Sequence, residues 1–334
     1  AARRPPPRYV RRSVPGWKDA YLEPAAAQLA SFLGVEANVT IDVVIPSFRA
    51  RAASLKRMVL RPDPRGCSVK FIILVDDPAS PEIDGVLALQ SARERVRVNS
   101  KNVGASALRN RGLDEACAEY VLFWDDDVDV APDCLSAYAA AVRNDKGRSA
   151  GFVGTTVLPQ TRSVLHEGTR LSDITFFYAL PETLGDGRAF APWGVTANLL
   201  VKRSRRGHVA PSFGLDFAKT GGGEDIDFCI QQVQCSGRAF SRVAGAVVTH
   251  EWWDASNPLK YVLRFWAWTC GDGYLNYKHP QHVYLNFPNM IELTAILLAA
   301  AATVVAAAPS LAVALKRLTV CLNLAAGLWA VEVA

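Results

Sequence analysis

Three absences narrow the possible functions of this chain of 334 residues before any motif is considered. The formal net charge is only +5 and much of the excess lies near the N-terminus, so the chain lacks the overall basic character of a nucleic-acid-binding protein. Its seven cysteines include no C-x-x-C pair, which favours buried, reduced thiols over a disulfide framework. No P-loop and no G-x-G-x-x-G turn follows the first predicted strand, so a nucleotide would have to bind in another way.

What the chain does contain is an apolar run that ends abruptly in acids. Tyr120 to Trp124 is unbroken and predicts a strand buried on both faces. Asp125, Asp126 and Asp127 follow at the strand end, where open α/β sheets bind ligands. Crowded carboxylates repel one another unless a cation offsets them, and oxygen ligands suit Mg²⁺ or Mn²⁺. The D-x-D spacing of Asp125 and Asp127 suits one shared ion, and the alternative is an ordinary polar turn or helix cap.

The segments before this strand alternate between strand and helix patterns. Strands are predicted over Val39–Pro46, Val69–Val75 and Val96–Asn99, with helices around Leu55–Val59 and over Ala105–Cys117. This alternation predicts an α/β fold with a doubly wound, mostly parallel nucleotide-binding sheet flanked by helices. The first two long strands and the acidic strand would each deliver polar groups at their carboxyl ends.

Three motifs in this half of the chain resemble the opening of the inverting GT-A glycosyltransferases of family 2. They are Pro46-Ser47-Phe48-Arg49, Val75-Asp76-Asp77 and Asn102-Val103-Gly104-Ala105-Ser106-Ala107-Leu108-Arg109-Asn110-Arg111-Gly112. Their order and spacing match over residues 39–130, which is far more specific than a D-x-D pair alone. The resemblance implies a GT-A fold, a nucleotide-diphosphate-sugar donor, with UDP-sugars favoured, and Mn²⁺ or Mg²⁺ as the cofactor.

The same resemblance implies a role for each motif. Asp76 would accept a hydrogen bond from the nucleotide base and Pro46 would line that pocket. Arg109 would orient the acidic motif or the phosphates, while Asp125 and Asp127 would hold the ion. The expected nucleotide-binding residues are Pro46, Ser47, Phe48, Arg49, Asp76, Asn102, Gly104, Arg109, Asp125 and Asp126. A divalent ion suits this chemistry because a nucleotide diphosphate leaves readily only when its developing charge is neutralised.

A second acidic motif follows a run of glycines at Gly221–Gly223. Glu224 and Asp225 open a predicted helix, where acids also serve simply as partners of the helix dipole. Gly-Glu-Asp at this distance from the D-x-D pair resembles the family's catalytic acids, which implies Asp225 as general base, kept ionised by the helix dipole, with Glu224 as a catalytic partner or acceptor ligand. The Q-x-x-R-W motif of the processive synthases is absent, which argues against a polymerising enzyme.

Further candidates lie around these acids. His250 ends a predicted strand, and by resemblance to some relatives it would complete the metal site with Asp125 and Asp127. Trp193 is expected to bind the acceptor by stacking on a sugar face, with a buried core position as the alternative. Trp252 is a further acceptor-binding candidate, and the aromatic stretch 172–178 is expected to contribute to the same wall. The Arg264–Tyr274 segment leaves two roles open, in an acceptor site or at a membrane interface.

The chain ends are expected to lie outside the catalytic domain. Residues 1–38 form a basic, proline-rich arm and lead-in helix. The catalytic domain covers 39–288, with its nucleotide-binding half at 39–130 and its acceptor half at 131–288. Residues 289–334 include an uncharged stretch, Leu293–Leu315, and predict an incomplete set of apolar, membrane-associating helices. Transmembrane, interfacial and simple packing helices all remain open, and the catalytic domain would face the cytosol.

These features predict a metal-dependent inverting glycosyltransferase that moves a sugar from a nucleotide-diphosphate donor to a hydroxyl of a carbohydrate or lipid-linked acceptor. One alternative is a nucleotide-sugar-binding protein without turnover, against which an intact Asp225 argues. Another is a nucleotidyltransferase on a related sheet, against which the missing glycine-rich basic loop argues. A structural membrane protein with incidental acids does not account for the order of the motifs.

Overall fold

The first half of the chain alternates strands and helices as predicted. The structure, a computed structural model, describes residues 38–172, 174–179, 190–203, 210–219, 222–282 and 290–333. Its first elements are β1 (Val39–Ser47), α1 (Ala52–Val59), β2 (Cys67–Val75), α2 (Ile83–Leu87), β3 (Glu94–Val98), α3 (Ala105–Glu115) and β4 (Tyr120–Trp124). β1 pairs in parallel with β2 and β4, and β2 pairs in parallel with β3. The carboxyl ends of these four strands therefore share one edge of the sheet.

The second half departs from the mostly parallel sheet that the sequence predicts. Its elements are β5 (Val128–Val130), α4 (Cys134–Asp145), β6 (Gly151–Val157), α5 (Val164–Leu171), β7 (Phe190–Ala191), β8 (Asn198–Lys202), α6 (Glu224–Ser236), β9 (Phe240–His250) and α7 (Pro258–Lys278), with 3-10 turns at Phe176–Ala179 and Leu215–Lys219. β8 runs antiparallel to both β4 and β6, and β5 and β7 run antiparallel to β9. β6 and β9 are parallel. The nine-stranded sheet, ordered β3-β2-β1-β4-β8-β6-β9-β5 with β7 beside β9, is therefore mixed.

Helices cover both faces of this sheet and bury its alternating side chains. The core on one face is built from α1, α4 and alternate positions of β1 and β4, including Leu55, Met58, Tyr138, Val43 and Trp124. The core on the other face is built from α3, α6 and the intervening positions, including Leu108, Phe228, Val44 and Phe123. Gly112 lets α3 lie close to β1, because a Cβ at this position would overlap the side chain of Val44. Strands buried on both faces explain the near-continuous apolar runs of the sequence.

Asn198 fixes the antiparallel strand β8 in the middle of the sheet. Its side chain is fully buried, and its Oδ1 accepts hydrogen bonds from Trp124 Nε1 at 3.3 Å and Tyr138 Oη at 2.9 Å. Its Nδ2 donates to the carbonyl oxygens of Thr155 at 3.1 Å and Ala246 at 2.7 Å. One amide therefore links β4, α4, β6 and β9, which holds the carboxyl ends of β4 and β9 in a fixed relation.

The end of α3 differs slightly from the prediction. The helix was expected to continue to Cys117, but it ends at Glu115. The buried carboxylate of Asp42 accepts hydrogen bonds from the backbone N–H groups of Cys117 at 2.6 Å and Ala118 at 2.8 Å. These donors are therefore paired with β1 rather than with the helix, which turns the chain into β4.

The chain divides into two compact units, one up to Leu275 and one from Asn276 onward. The second unit contains a 3-10 turn at Pro280–His282 and two helices, α8 (Met290–Ala306) and α9 (Leu311–Val333). Arg317 Nη1 donates hydrogen bonds to the carbonyl oxygens of Val304 at 3.2 Å and Ala307 at 3.3 Å, and so binds the C-terminal end of α8. The break between the two helices contains Pro309, which cannot continue a helix from its preceding turn.

Of the three alternatives left open for residues 289–334, membrane-crossing helices are not found in the part of the chain that the structure describes. None of the helices there is long and apolar enough to cross a membrane. The uncharged stretch Leu293–Leu315 is divided between two helices at the Pro309 break, and Lys316 and Arg317 follow inside α9. The predicted N-terminal arm, apart from residue 38, lies outside the described residues.

Candidate active site

The carboxylate of Asp126 holds the loop that follows β1. It is buried, and its Oδ2 accepts hydrogen bonds from Ser47 Oγ at 2.7 Å and from the Arg49 backbone N–H at 3.1 Å. Its Oδ1 accepts from Arg49 Nη1 at 2.8 Å. Ser47 Oγ in turn accepts from the Ala50 N–H at 3.0 Å, in a turn where Ala50 has the positive φ of 49°. Asp126 therefore uses both of its carboxylate oxygens to hold the loop that is expected to bind the nucleotide.

Asp125, Asp127 and His250 converge, as the sequence predicts for a metal site. One ligand atom from each lies within 4.8 Å of the others. Two features of the fold bring them together: the turn after β4 carries both carboxylates, and the antiparallel pairing of β5 with β9 places Val128 opposite His250. This convergence joins residues that are more than 120 positions apart in the chain, so it depends on the sheet rather than on local sequence.

The orientation of the His250 ring favours a bound cation. Its Nδ1 lies 2.6 Å from the carbonyl oxygen of Glu251, and because a carbonyl can only accept, Nδ1 carries the proton. In the neutral ring, Nε2 then presents a lone pair 3.4 Å from Asp127 Oδ1. Either a proton on Nε2 or a metal ion between the two atoms would make this contact favourable, and the metal ion would use the Nε2 lone pair as a ligand. Imidazole nitrogen with two carboxylate oxygens is a donor set that fits Mn²⁺ and tolerates Mg²⁺.

The electrostatics of Asp127 point the same way. Burial raises the pKa of Asp127, and the charges of Asp125 and Asp126 raise it further, while His250 and Arg49 act in the opposite direction. Arg49 Nη1 lies 3.0 Å from Asp127 Oδ2. An added divalent ion would oppose the effects of burial and of the neighbouring acids, and would so stabilise the ionised carboxylate of Asp127.

Arg109 joins the two acidic motifs. Its side chain is only 6% exposed, and its Nη2 donates to Asp125 Oδ1 at 2.9 Å while Nη1 donates to Glu224 Oε1 at 3.0 Å. The guanidinium also lies over the Phe213 ring, 5.6 Å from its centroid. Glu224 Oε2 is buried and has no hydrogen-bond partner among the described residues. The guanidinium group of Arg109 therefore sets the distance between Asp125, a predicted metal ligand, and Glu224 at the start of α6.

Asp225 has the environment of a base that titrates near neutral pH. Gly223, with a φ of +96°, makes the turn into α6. Burial, reinforced by the negative charge of Glu224, raises the pKa of Asp225 from 3.8 to about 7, although Arg109 opposes the shift. We expected the helix dipole to keep this carboxylate ionised, and that expectation was wrong. The loss of solvent and the neighbouring acid outweigh the dipole and the guanidinium.

The residues expected around the nucleotide base lie together at the ends of β1, β2 and the turn before α3. The buried Asp76 carboxylate accepts from Asn99 Nδ2 at 2.9 Å and from the backbone N–H groups of Val103 at 3.0 Å and Gly104 at 2.8 Å. Asp76 therefore shapes the loop, and its predicted contact with a base stays a prediction. The remaining members of this group differ in exposure: Pro46 is buried, while Phe48 and Asn102 are exposed.

The two predicted acceptor tryptophans have different surroundings. Trp193 is partly buried, and its ring centroid lies 6.0 Å from that of Phe177, which lies 6.0 Å from that of Trp268. Trp268 also contacts the glycine turn before Asp225, since a Cβ at Gly222 would come within 3.1 Å of its Cδ1. The structure therefore places Trp193 in an aromatic wall, composed of Phe177, Trp193 and Trp268, that reaches the turn before α6.

Trp252 is engaged in packing. Its Nε1 donates to the carbonyl oxygen of Pro159 at 2.8 Å, and its ring is stacked on His166 with centroids 4.9 Å apart. His166 Nε2 lies 3.0 Å from the carbonyl oxygen of Trp253. One face and the N–H of Trp252 are therefore already used, which limits the role predicted for it in acceptor binding to the remaining face.

Tyr178 is a site residue to which sequence reasoning gave no individual role. Its ring lies 5.5 Å from that of His250 and is stacked near Trp253 at 6.3 Å. Burial, followed by the charges of Asp125, Asp127 and Asp225, raises its pKa well above the ordinary value, so the hydroxyl stays protonated. The aromatic stretch 172–178 was the available signal, but nothing in it distinguished Tyr178 from its neighbours.

Comparisons with known proteins agree with the sequence-based family resemblance. Residues 42–182 match the protein-family model described as glycosyl transferase family 2. No curated protein matches the sequence. The family match favours sugar transfer over the nucleotidyltransferase alternative.

Solved structures show weaker likeness. A crystal structure of S. aureus TarS 1-349 is 15% identical, with a TM-score of 0.48 over 64% of this chain and 60% of that one. Its complex with UDP-GlcNAc is 13% identical, with a TM-score of 0.44 over 85% of this chain and 72% of that one. GalNAc-T7, solved with UDP, GalNAc and Mn²⁺, is 16% identical, with a TM-score of 0.45 over 77% of this chain and 53% of that one. This chain thus covers 60% of the length of the TarS 1-349 chain.

Proposed function

We propose that this chain, whose residues 42–182 match the glycosyl transferase family 2 model, transfers a sugar from a UDP-sugar to an acceptor hydroxyl with inversion at the anomeric carbon. The observation that supports this proposal best is the bridge formed by Arg109. This side chain contacts Asp125 in the cation-binding cluster and Glu224 beside the candidate base Asp225. Donor activation and acceptor deprotonation need to occur on either side of one reacting carbon, and the bridge holds the two sets of groups at a fixed separation.

The donor side would be held by the acidic turn after β4. Asp125, Asp127 and His250 would bind the divalent ion, which when bound neutralises charge on the leaving diphosphate. The loop Ser47–Arg49, fixed by Asp126, together with the turn before α3, would hold the nucleotide. Among the described residues, the four carboxylates of Asp125, Asp126, Asp127 and Glu224 form ion pairs with two guanidinium groups, those of Arg49 and Arg109, and this imbalance favours cation binding.

The acceptor side would be served by Asp225. A direct displacement needs the attacking hydroxyl to lose its proton as the new bond forms, and a carboxylate with a pKa near the working pH is suited to accept it. The pKa of Asp225, raised to about 7, meets that requirement. Glu224, held by Arg109, would orient the acceptor, and the wall of Phe177, Trp193 and Trp268 offers aromatic faces on which a sugar ring can stack.

Release of free UDP on incubation with a panel of nucleotide sugars tests this function. With Mn²⁺ or Mg²⁺ present, at least one UDP-sugar should yield UDP in an acceptor-dependent manner. Excess chelator should abolish the release, and added metal should restore it. Full activity in excess chelator would contradict the metal-dependent mechanism, and release from a non-uridine donor alone would contradict the choice of UDP. The anomeric configuration of the product tests inversion.

Membrane attachment through the apolar α8 and α9, with the catalytic unit facing the cytosol, is proposed as the location of this activity. The support is the apolar composition of both helices, whose sequence contains only Glu292, Lys316, Arg317 and Glu332 as charged residues. A chain ending at Pro288 should sediment less with membranes than the full chain. Identical fractionation of the two chains would assign these helices a packing role.

A further inference from the structure

Helix α7 carries apolar side chains on two opposite sides. On its inner side, Tyr261 is buried, and Phe265 and Trp268 lie with ring centroids 5.6 Å and 5.1 Å from that of Trp253. These contacts are part of the core beside the candidate active site. They account for two inward-facing residues, Phe265 and Trp268, of the Arg264–Tyr274 segment, for which the sequence left two roles open.

The outer side of α7 is apolar as well, and its large side chains are exposed in the part of the chain that the structure describes. Its exposed residues follow the spacing of one helical face. They are Leu259, Val262, Leu263 and Trp266, each between 51% and 69% exposed, and they define the α7 outer face. Leaving four large apolar side chains on one face in water is costly, so the face is suited to an apolar partner.

The neighbouring helix α5 packs against the inner side of α7 and has exposed apolar residues of its own. Thr169 Oγ1 on α5 lies 2.8 Å from Tyr261 Oη on α7, which shows that the two elements pack side by side. Exposed apolar residues also occur along α5 and the turn that follows it, namely Val164, Leu171, Ile174 and Phe176. Within the described residues, exposed apolar side chains therefore occur on both of these packed elements.

The charges of α7 indicate which partner is suitable. From Pro258 to Gly271 the helix contains two cations, Lys260 and Arg264, and no acid. Both are exposed, and their positions in the helix fall on one flank, between the inner and outer faces. Long basic side chains at such a flank can reach lipid headgroups while the adjacent apolar face enters the interface. A second copy of the chain would bring the same cations together, which is unfavourable.

We propose that the α7 outer face binds the surface of an anionic lipid bilayer, with the helix axis lying in the membrane plane. Leu259, Val262, Leu263 and Trp266 enter the boundary between headgroups and acyl chains, and Lys260 and Arg264 bind the anionic headgroups. Trp266 is suited to this depth because indole rings favour the membrane interface. This attachment involves neither α8 nor α9, and it does not depend on the identity of the sugar transferred.

Sedimentation of the full chain with lipid vesicles tests the proposal. Vesicles of phosphatidylcholine alone are compared with vesicles that also contain phosphatidylglycerol. The double variant Leu263→Ser, Trp266→Ser should lower the partition coefficient to anionic vesicles by about tenfold or more. Lys260→Gln, Arg264→Gln should remove most of the preference for anionic over neutral vesicles, a change of about tenfold. Leu60→Ser, Leu87→Ser, which alters exposed leucines elsewhere, should leave both values unchanged.

Each result decides for or against this surface. If the Leu263→Ser, Trp266→Ser chain sediments like the original, α7 does not contact lipid and any attachment lies in another segment. If this variant instead turns a dimer into a monomer in sedimentation velocity without vesicles, the α7 outer face is an interface between copies. Fluorescence gives a second readout that avoids a polar substitution: brominated lipids should quench the original chain more than Trp266→Phe, and equal quenching would overturn the proposal.

Discussion

The two acidic turns of the site contain the same kind of side chain in two different electrostatic settings. In the turn after β4, the guanidinium groups of Arg49 and Arg109 and the ring of His250 lie against the carboxylates. At the start of α6, Arg109 contacts Glu224 alone, and Asp225 has no ion pair among the described residues. The first setting gathers lone pairs suitable for a cation, whereas the second raises the pKa of one carboxyl to about 7. Neighbours and burial, rather than residue type, therefore distinguish the proposed metal ligands from the proposed base.

Arg109 makes the two settings interdependent. It is buried and shared, so its removal would leave Asp125 and Glu224 without their cation at the same time. Substituting Arg109 would therefore damage both functions and the fold together, and would not distinguish them. Neutral, nearly isosteric changes within each turn are the sharper way to separate a donor-binding role from a proton-accepting role.

Asp225→Asn is expected to have the largest effect. Asparagine keeps the shape and can still accept the hydrogen bond that Ile226 N–H donates to Asp225 Oδ1 at 2.9 Å, but it cannot take a proton. Turnover should fall by about 10²–10⁴-fold, while the metal-dependent affinity for UDP stays within a few-fold of the original. Steady-state kinetics and calorimetric titration with UDP measure the two quantities. Near-normal turnover would place the base elsewhere and remove the main support for inversion.

Asp127→Asn should show the opposite pattern, and Asp126→Asn is its matched control. The Asp127 change removes a charged ligand, so UDP affinity in Mn²⁺ should fall by roughly 10–100-fold, the loss typical when a metal site is disrupted. Asp126 instead accepts from Ser47 and Arg49, so its substitution should lower the free energy of unfolding by about 1–3 kcal/mol and weaken UDP binding less. Equal loss of UDP affinity in both variants would contradict the division of roles.

The pH dependence of turnover is expected to reflect Asp225. The base works only when deprotonated, so below pH 7 the rate should fall by about tenfold per pH unit and level off above the pKa of about 7. The profile is measured at saturating Mn²⁺ and donor, so that metal loss does not contribute. The residual activity of Asp225→Asn should not show this fall in rate below pH 7. A rate that stays constant from pH 5 to pH 8 would show that Asp225 is not the titrating group.

Much of the donor half could be predicted because its signals are local. β4 was predicted at its observed bounds, since an apolar run bounded by acids describes one buried strand. Asp125 and Asp127 follow that strand directly, and their spacing together with the resemblance to family 2 favoured a shared ion over an ordinary polar turn. The convergence of His250 with them was inferred from resemblance, and the antiparallel contact between β5 and β9 now supplies its physical basis.

The features that were missed depend on distant parts of the chain. The apolar pattern of β8 marks a strand but does not encode its antiparallel direction, which comes from its neighbours β4 and β6. Glu224 and Arg109 are 115 residues apart, so their ion pair could not be read from spacing. The stacking of His166 on Trp252 likewise requires knowledge of which loops meet. The raised pKa of Asp225 combines burial with this long-range geometry and so was predicted in the wrong direction.

The smallest expected effect concerns stability, and it again separates the two turns. Because the pKa of Asp225 is raised from 3.8 in the unfolded chain to about 7 in the fold, the unfolded chain binds fewer protons between these values. Stability from this group is therefore fully present below about pH 4 and is lost as pH rises through 7. Asp225→Asn, which is neutral at every pH, should then be more stable than the original chain at pH 8 but not at pH 4. Since Asp225 is partly exposed, solvent reduces the cost of ionising it in the fold, and we expect the free energy of unfolding at pH 8 to rise by about 1–2 kcal/mol in the variant.

Denaturant titrations at both pH values, with chelator present to remove any bound metal, measure this difference. A variant that loses turnover and gains stability at pH 8 would identify Asp225 as a carboxylate retained for function at a cost to the fold. Equal stability of the two chains at pH 8 would show that the Asp225 carboxylate is well solvated or well paired, and the base assignment would then lose its electrostatic support.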